Sequence, residues 1–250
     1  STPSNSSAAS DVYKRQGARR MAIYNGRLPQ IDVAETIRYA GLRQATDFPK
    51  QYVTDACLEV QLVAEPKGVY EIYDYDAVTG TIQSNPSLTV EGTSIRKHLK
   101  DAEKVYVMAV TIGEGVELRS AELFKENNYT LGLLVDAAAT TAVEQVADQV
   151  NDLIEKEAAK AGYTTTWRFS PGYGNWNLDV QKNLATIIGT NHIGLTVTDT
   201  FLLFPRKSVT AIIGCIPKGK LACEKNADLR PGIKRGCSSC NQVNCASRKI

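Results

Sequence analysis

"VYEIYDYDAVTGTIQ", residues 69–83, decides the class of fold. It is rich in β-formers on either side of Thr79-Gly80, a turn signal, so it reads as two antiparallel strands joined tightly. Downstream, "KVYVMAVTIG" at 104–113 is an unbroken apolar run ending at Gly113, the pattern of a buried strand. "GLTVTDTFLLFP" and "SVTAIIGC" read as two more strands, joined at Pro205-Arg206-Lys207.

Helical periodicity surrounds these strands. Asp32 with Glu35 forms a capping pair for a helix with Val33, Ile37 and Ala40 on its apolar face, ending near Gly41. Tyr52 to Ala64 reads as a second helix, with Val53, Ala56, Cys57, Val60 and Val63 on one side. A short helix is expected near Ile95 to Leu99, a long Ala-rich one from Leu131 to Ala161, and another through Val180 to Ile188. The expected class is α+β, with helices around a mainly antiparallel sheet and no regular βαβ alternation.

Composition narrows the function classes. The 250 residues carry 29 basic and 27 acidic side chains, six cysteines and two histidines. Residues 21–217 hold 17 basic and 24 acidic side chains, whereas 218–250 hold eight basic and two acidic. An acidic body is a poor nucleic-acid binder, and the cysteines of the basic tail suggest another use for it. No apolar run approaches the length of a membrane span, and the first residues lack a secretory apolar core, so no membrane association and a cytoplasmic location are expected. Residues 1–20 are Ser-rich and aperiodic, and are expected to be a disordered or non-native leader; "DVYKRQ" looks like a translated sequencing-adapter remnant, which would make Met21 the natural start. The expected division is then 1–20 leader, 21–214 folded domain and 215–250 Cys-rich basic tail.

Familiar catalytic motifs are missing: no GxxxxGK[ST] loop, no GxGxxG opening a helix, no HExxH and no GxSxG. His98, in a Lys-rich helix, reads as a surface residue, and His192 in "TNHIG" as a turn residue. The chemistry concentrates instead in "RFSPGYGNWNLDVQ", residues 168–181. Arg168 offers a planar fork to a carboxylate. Pro171 with Gly172 sets a turn, Gly172 and Gly174 allow close backbone approach, and Tyr173 and Trp176 supply flat faces. A zwitterion bearing a purine suits this set. The competing reading is a structural turn with Tyr173 plugging the core. On the long helix, Glu144 and Asp148 share a face with Asp136, as ligand-binding acids or as a solvated helix face.

"RFSPGYGNWNLDVQKNL" contains the R-x-x-x-G-Y motif, as Arg168, Gly172 and Tyr173, and so resembles the activation domain of cobalamin-dependent methionine synthase. "IDVAETIRYAGLR", "AVTIG", "DAAATTAVEQVADQV" and "IGLTVTDTFLLFPRKSVTAIIG" resemble further segments of that family in order, covering most of residues 28–214. The resemblance implies S-adenosylmethionine binding. Arg168 would hold the ligand carboxylate, the Ser170, Pro171 and Gly172 backbone would line the adenosyl part, and Tyr173 would pack on the ligand. Glu144 and Asp148 would face the sulfonium and amino group. It implies a stand-alone reactivation subunit that supports reductive remethylation of cob(II)alamin. The cobalamin would be held by a partner, a methionine synthase core or other corrinoid protein, and the electron would come from a low-potential donor. No residue of this chain is assigned a catalytic role, and whether it counts as an enzyme depends on whether methyl transfer is credited to it or to the complex.

The tail departs from that pattern. Cys215, Cys223, Cys237, Cys240 and Cys245 have the spacing of thiolates gathered around a [4Fe–4S] cluster or zinc. Cys57, on an apolar helix face, reads as a packed core thiol. The alternative function is therefore an iron–sulfur or zinc-binding electron-transfer or scaffold module of a corrinoid methyl-transfer system. An ordinary small-molecule methyltransferase lacks support, because its glycine-rich strand-to-helix loop is missing.

Overall fold

A computed structural model describes residues 21–45 and 47–221. Its centre is an antiparallel sheet of β1 (Ala22–Asn25), β2 (Lys67–Asp76), β3 (Thr81–Ile82), β4 (Leu88–Thr89), β5 (Lys104–Thr111), β6 (Tyr163–Thr165) and β9 (Ser208–Pro217). The order is β4-β3-β2-β5-β9-β6, with β1 also paired to β2. The hairpin expected at 69–83 is present: β2 pairs antiparallel with β3, Tyr75 opposite Ile82. Between β2 and β9, β5 is buried from Val105 to Thr111, which explains its unbroken apolar sequence. The sheet's period of two then sorts the two cores. Tyr106, Met108, Val110, Ala211, Ile213 and Cys215 face one side; Val105, Val107, Ala109 and Ile212 face the other.

Four helices cover the first face: α1 (Val33–Tyr39), α2 (Lys50–Val63), α4 (Gly115–Lys125) and the 32-residue α5 (Tyr129–Lys160). Asp32 caps α1 as expected, its Oδ1 accepting from the amides of Ala34 and Glu35 at 2.8 and 3.1 Å. The α5 alanines and Gly68 of β2 let helix and sheet approach closely; a Cβ on Gly68 would lie 2.9 Å from Val150 Cγ2. Between α1 and α5, the Thr36 hydroxyl donates to Thr141 Oγ1 at 3.1 Å, and its Oγ1 lies 3.6 Å from the buried Cys57 Sγ. Cys57 is thus the packed thiol its helical position indicates. The second face is covered by α3 (Thr93–His98), the 168–180 segment and α6 (Gln181–Ile188), packing Ile95, Leu99, Trp176, Leu184 and Ile188 onto the sheet.

Three features differ from the expectations. "GLTVTDTFLLFP" is not one strand but a separate hairpin, β7 (Thr196–Val197) with β8 (Leu203–Phe204). Its chain reverses where Thr198 N donates to Leu202 O at 2.8 Å and Phe201 takes φ 63°. No helix was expected over 115–125, although Val116, Ser120 and Leu123 have helical spacing and are all buried. Strand β9 also runs three residues beyond Gly214, with Cys215 paired to both Lys104 and Thr165. The short α7 (Lys218–Leu221) follows.

Candidate functional site

The loop at 168–181 is held at both ends by backbone pairing. After β6, Thr166 N donates to Gly214 O at 2.9 Å and Thr166 Oγ1 accepts from Gly214 N at 2.9 Å. Phe169 and Ile212 then exchange both of their backbone bonds at 2.9 Å. This irregular extension of the sheet edge keeps the alternation of a strand. Phe169 is buried in the second core, and Arg168 reaches α5 on the other side.

The chain turns immediately afterwards. Gly172 and Gly174 take φ 87° and 57°, values that favour glycine, and Gly172 N donates to Trp176 O at 2.8 Å. Asn175 ties the turn to the start of α3: its Oδ1 accepts from Ser94 N at 2.9 Å, and its Nδ2 donates to Thr93 Oγ1 at 2.8 Å. Trp176, expected to offer a ligand face, is 2% exposed and plugs the core instead. Tyr173, expected as the ligand-packing residue or as the plug, is 54% exposed. Proximity to Gly172 and Gly174 did not distinguish these two aromatics; their packing does.

Arg168 meets both acids of the long helix. Its Nη2 lies 3.2 Å from Glu144 Oε2 and 3.1 Å from Asp148 Oδ1. Its Nη1 is buried without a hydrogen-bond partner. The side chain of Arg168 is 20% exposed, while those of Glu144 and Asp148 are 43% and 42% exposed, so the carboxylates stand nearer to solvent than the guanidinium. Burial and then the negative charge of Glu144 raise the pKa of Tyr173, and the same two causes in the same order raise that of Tyr39. Tyr39, the last residue of α1, was not among the expected site residues. The Arg38 guanidinium lies 3.8 Å from its ring centroid.

The acidic stripe continues one step beyond Glu144 and Asp148. Lys207 Nζ lies 2.9 Å from Asp136 Oδ1 and donates to Thr140 Oγ1 at 2.9 Å. Positions 136, 140, 144 and 148 therefore form one line along α5, met by Lys207 from the β8–β9 turn and by Arg168 from the sheet edge.

Other expected residues lie elsewhere. His98 is half-buried rather than free at the surface. Its ring packs against Trp167 and Phe169 at 4.5 and 5.1 Å between centroids, and Nε2 lies 2.9 Å from Trp167 O. Burial pushes its pKa down to about 4, so the neutral ring donates Nε2–H to that carbonyl. His192 is exposed in a short 3-10 turn, as expected. Cys215 is fully buried on the α5 side of β9, and burial pushes its thiol up to about 12. Cys223, Cys237, Cys240 and Cys245 lie outside the described residues. Among the described residues, no group of three or more His, Cys, Asp or Glu is placed to hold a metal ion. Nor is any helix among them long and apolar enough to cross a membrane.

Compared by sequence, the chain matches no protein family and no curated protein. Compared by structure, it is similar to the MetH reactivation domain bound to AdoHcy, with TM-score 0.59 and 13% identity, over 80% of this chain and 79% of that one. The chain has the fold of the MetH reactivation domain.

Proposed function

We propose that the chain binds S-adenosylmethionine at the edge formed by the 168–174 loop and α5, and serves in reactivation of a cobalamin-dependent methionine synthase. One observation carries the reading: Arg168, Glu144 and Asp148 converge beside the glycine turn that presents Tyr173, on a fold whose solved counterpart holds AdoHcy. The guanidinium matches a carboxylate, the two acids match an ammonium and a sulfonium, and the half-exposed Tyr173 ring offers an apolar surface to the ligand. The turn from Ser170 to Gly172 leaves backbone groups for the adenosyl part.

An exposed site suits a methyl donor whose acceptor belongs to another polypeptide. The partner's cobalamin, reduced by a low-potential donor, supplies the acceptor; the residues here bind, orient and present the methyl group. Calorimetric titration of the protein with S-adenosylmethionine tests the reading, with Arg168→Ala as the variant and circular dichroism as a check of its fold. A loss of affinity of tenfold or more, about 1.4 kcal/mol, is expected. A folded parent that binds neither S-adenosylmethionine nor AdoHcy overturns the reading.

A further inference from the structure

The proposed function gives the cysteines near the carboxyl end no role, and the fold separates one of them from the rest. Cys215 lies in β9, fully buried, in the core on the α5 side, with its backbone paired to Lys104 on one side and Thr165 on the other. Bringing its sulfur to a metal would pull β9 away from both neighbours. The chain beyond β9 starts from a fixed point. Lys218 N donates to Gly162 O at 3.1 Å and Lys218 Nζ to Ala159 O at 3.0 Å, which fastens α7 to the end of α5, and Cys223 follows two residues after α7. Residues 222–250 hold four cysteines, no histidine, six basic and two acidic side chains. Two residues separate Cys237 from Cys240 and four separate Cys240 from Cys245, a spacing that lets neighbouring thiolates reach one metal centre. Cys223 stands upstream, and the turn signal Pro231-Gly232 between it and Cys237 suits the return of a fourth thiolate. Lys234 and Arg235 precede Cys237, and Arg248 and Lys249 follow Cys245; such cations favour the thiolate form that a metal requires.

We infer that Cys223, Cys237, Cys240 and Cys245 together hold a thiophilic metal centre, and that Cys215 is not among its ligands. The inference is separate from S-adenosylmethionine binding, since no residue of the 168–174 loop or of α5 takes part. Among the described residues no group of three or more His, Cys, Asp or Glu is placed to hold a metal ion, so the tail supplies all four ligands. Zinc and a [4Fe–4S] cluster ask for the same four thiolates, and either leaves the centre with a charge of about −2, which the surplus of basic side chains in 222–250 offsets. A segment this short cannot build a self-sufficient apolar core, so the free energy of binding the metal is also the free energy of ordering the segment. Metal binding therefore protects Lys225, Lys234 and Arg235 from trypsin, and removing the metal exposes them.

The test is elemental analysis of the full chain purified anaerobically, before and after incubation with zinc alone or with iron and sulfide, together with its visible spectrum and tryptic digestion with and without chelator. The expected result is about one zinc or about four irons per chain, the iron form with a broad absorption in the visible that zinc lacks. Cys223→Ser and Cys240→Ser should each lose most of the metal and its protection against trypsin, whereas Cys215→Ala, checked for folding by circular dichroism, should keep both. A wild-type chain that takes up neither metal, or whose tail thiols are paired as disulfides after anaerobic purification, overturns the inference. So does a Cys240→Ser chain with full metal content. A folded Cys215→Ala variant that loses metal as completely as Cys240→Ser overturns the four-thiolate set. Calorimetric binding of S-adenosylmethionine should be the same in Cys240→Ser as in the wild type, so failure of this site and failure of the proposed function are told apart.

Discussion

His98 shows how much one side chain's surroundings alter its chemistry. Flanked in sequence by Lys97 and Lys100, it nonetheless sits among Trp167 and Phe169 with a pKa near 4. Its unfolded value is near 6.5, so as pH falls the unfolded chain binds the proton first. The stability contributed by the neutral ring is therefore complete above about pH 6.5 and is lost as pH falls toward 4, with a slope of up to about 1.4 kcal/mol per unit. Urea denaturation at pH 7, 5.5 and 4.5 should show the wild type's advantage over His98→Gln shrinking with each step down. Nothing in the local sequence announced this, because the ring's neighbours are 69 and 71 residues away.

At the scale of an element, the 168–181 loop depends on two glycines with different surroundings. A Cβ on Gly174 would stand 2.5 Å from Ser94 Oγ and 2.7 Å from Ser94 Cβ; one on Gly172 would meet only Leu178 Cδ1, at 3.6 Å. Gly172→Ala should therefore cost only the backbone strain of a positive φ, about 1 kcal/mol. Gly174→Ala should cost about 2 kcal/mol or more, because the clash also pushes the loop from α3. Denaturant midpoints measure both, and a Gly174→Ala variant no less stable than Gly172→Ala would show that the attachment to α3 is slack. Both glycines were legible as turn residues in the sequence. Their partners were not, since α3 lies about 80 residues earlier in the chain and only packing brings Ser94 beneath Gly174.

For the whole molecule, the question is where the folded domain ends. The composition changes near Gly214, but β9 continues to Pro217, burying Cys215 and Ile216 and supplying every partner of β6. A chain ending after Gly214 loses burial worth about 1.5–3 kcal/mol for the isoleucine alone, and β6 loses its register. Its thermal midpoint should fall well below that of a chain ending after Leu221. Equal midpoints for the two truncations would mean that the β6–β9 edge contributes nothing. Cys215 belongs to that edge and faces α5, so its side chain occupies the core, whereas the tail spacing grouped it with Cys223.

The sequence by itself determined the local architecture. Alternation around Thr79-Gly80 specified the β2–β3 hairpin, the apolar run at 104–113 specified a strand buried on both faces, Asp32 marked the start of α1, and the Ala-rich stretch from Leu131, almost free of breakers, specified α5. These follow from interactions within a few residues, where period and capping suffice. The R-x-x-x-G-Y residues likewise marked the loop of interest. Only the tertiary structure decided that Arg168 meets Glu144 and Asp148 together, that Lys207 meets Asp136, that Tyr173 stays exposed while Trp176 is buried, and that Cys215 points into the core. Charge pairing and burial depend on which distant segments share a sheet edge, and the sheet here brings residues 104, 165 and 215 side by side.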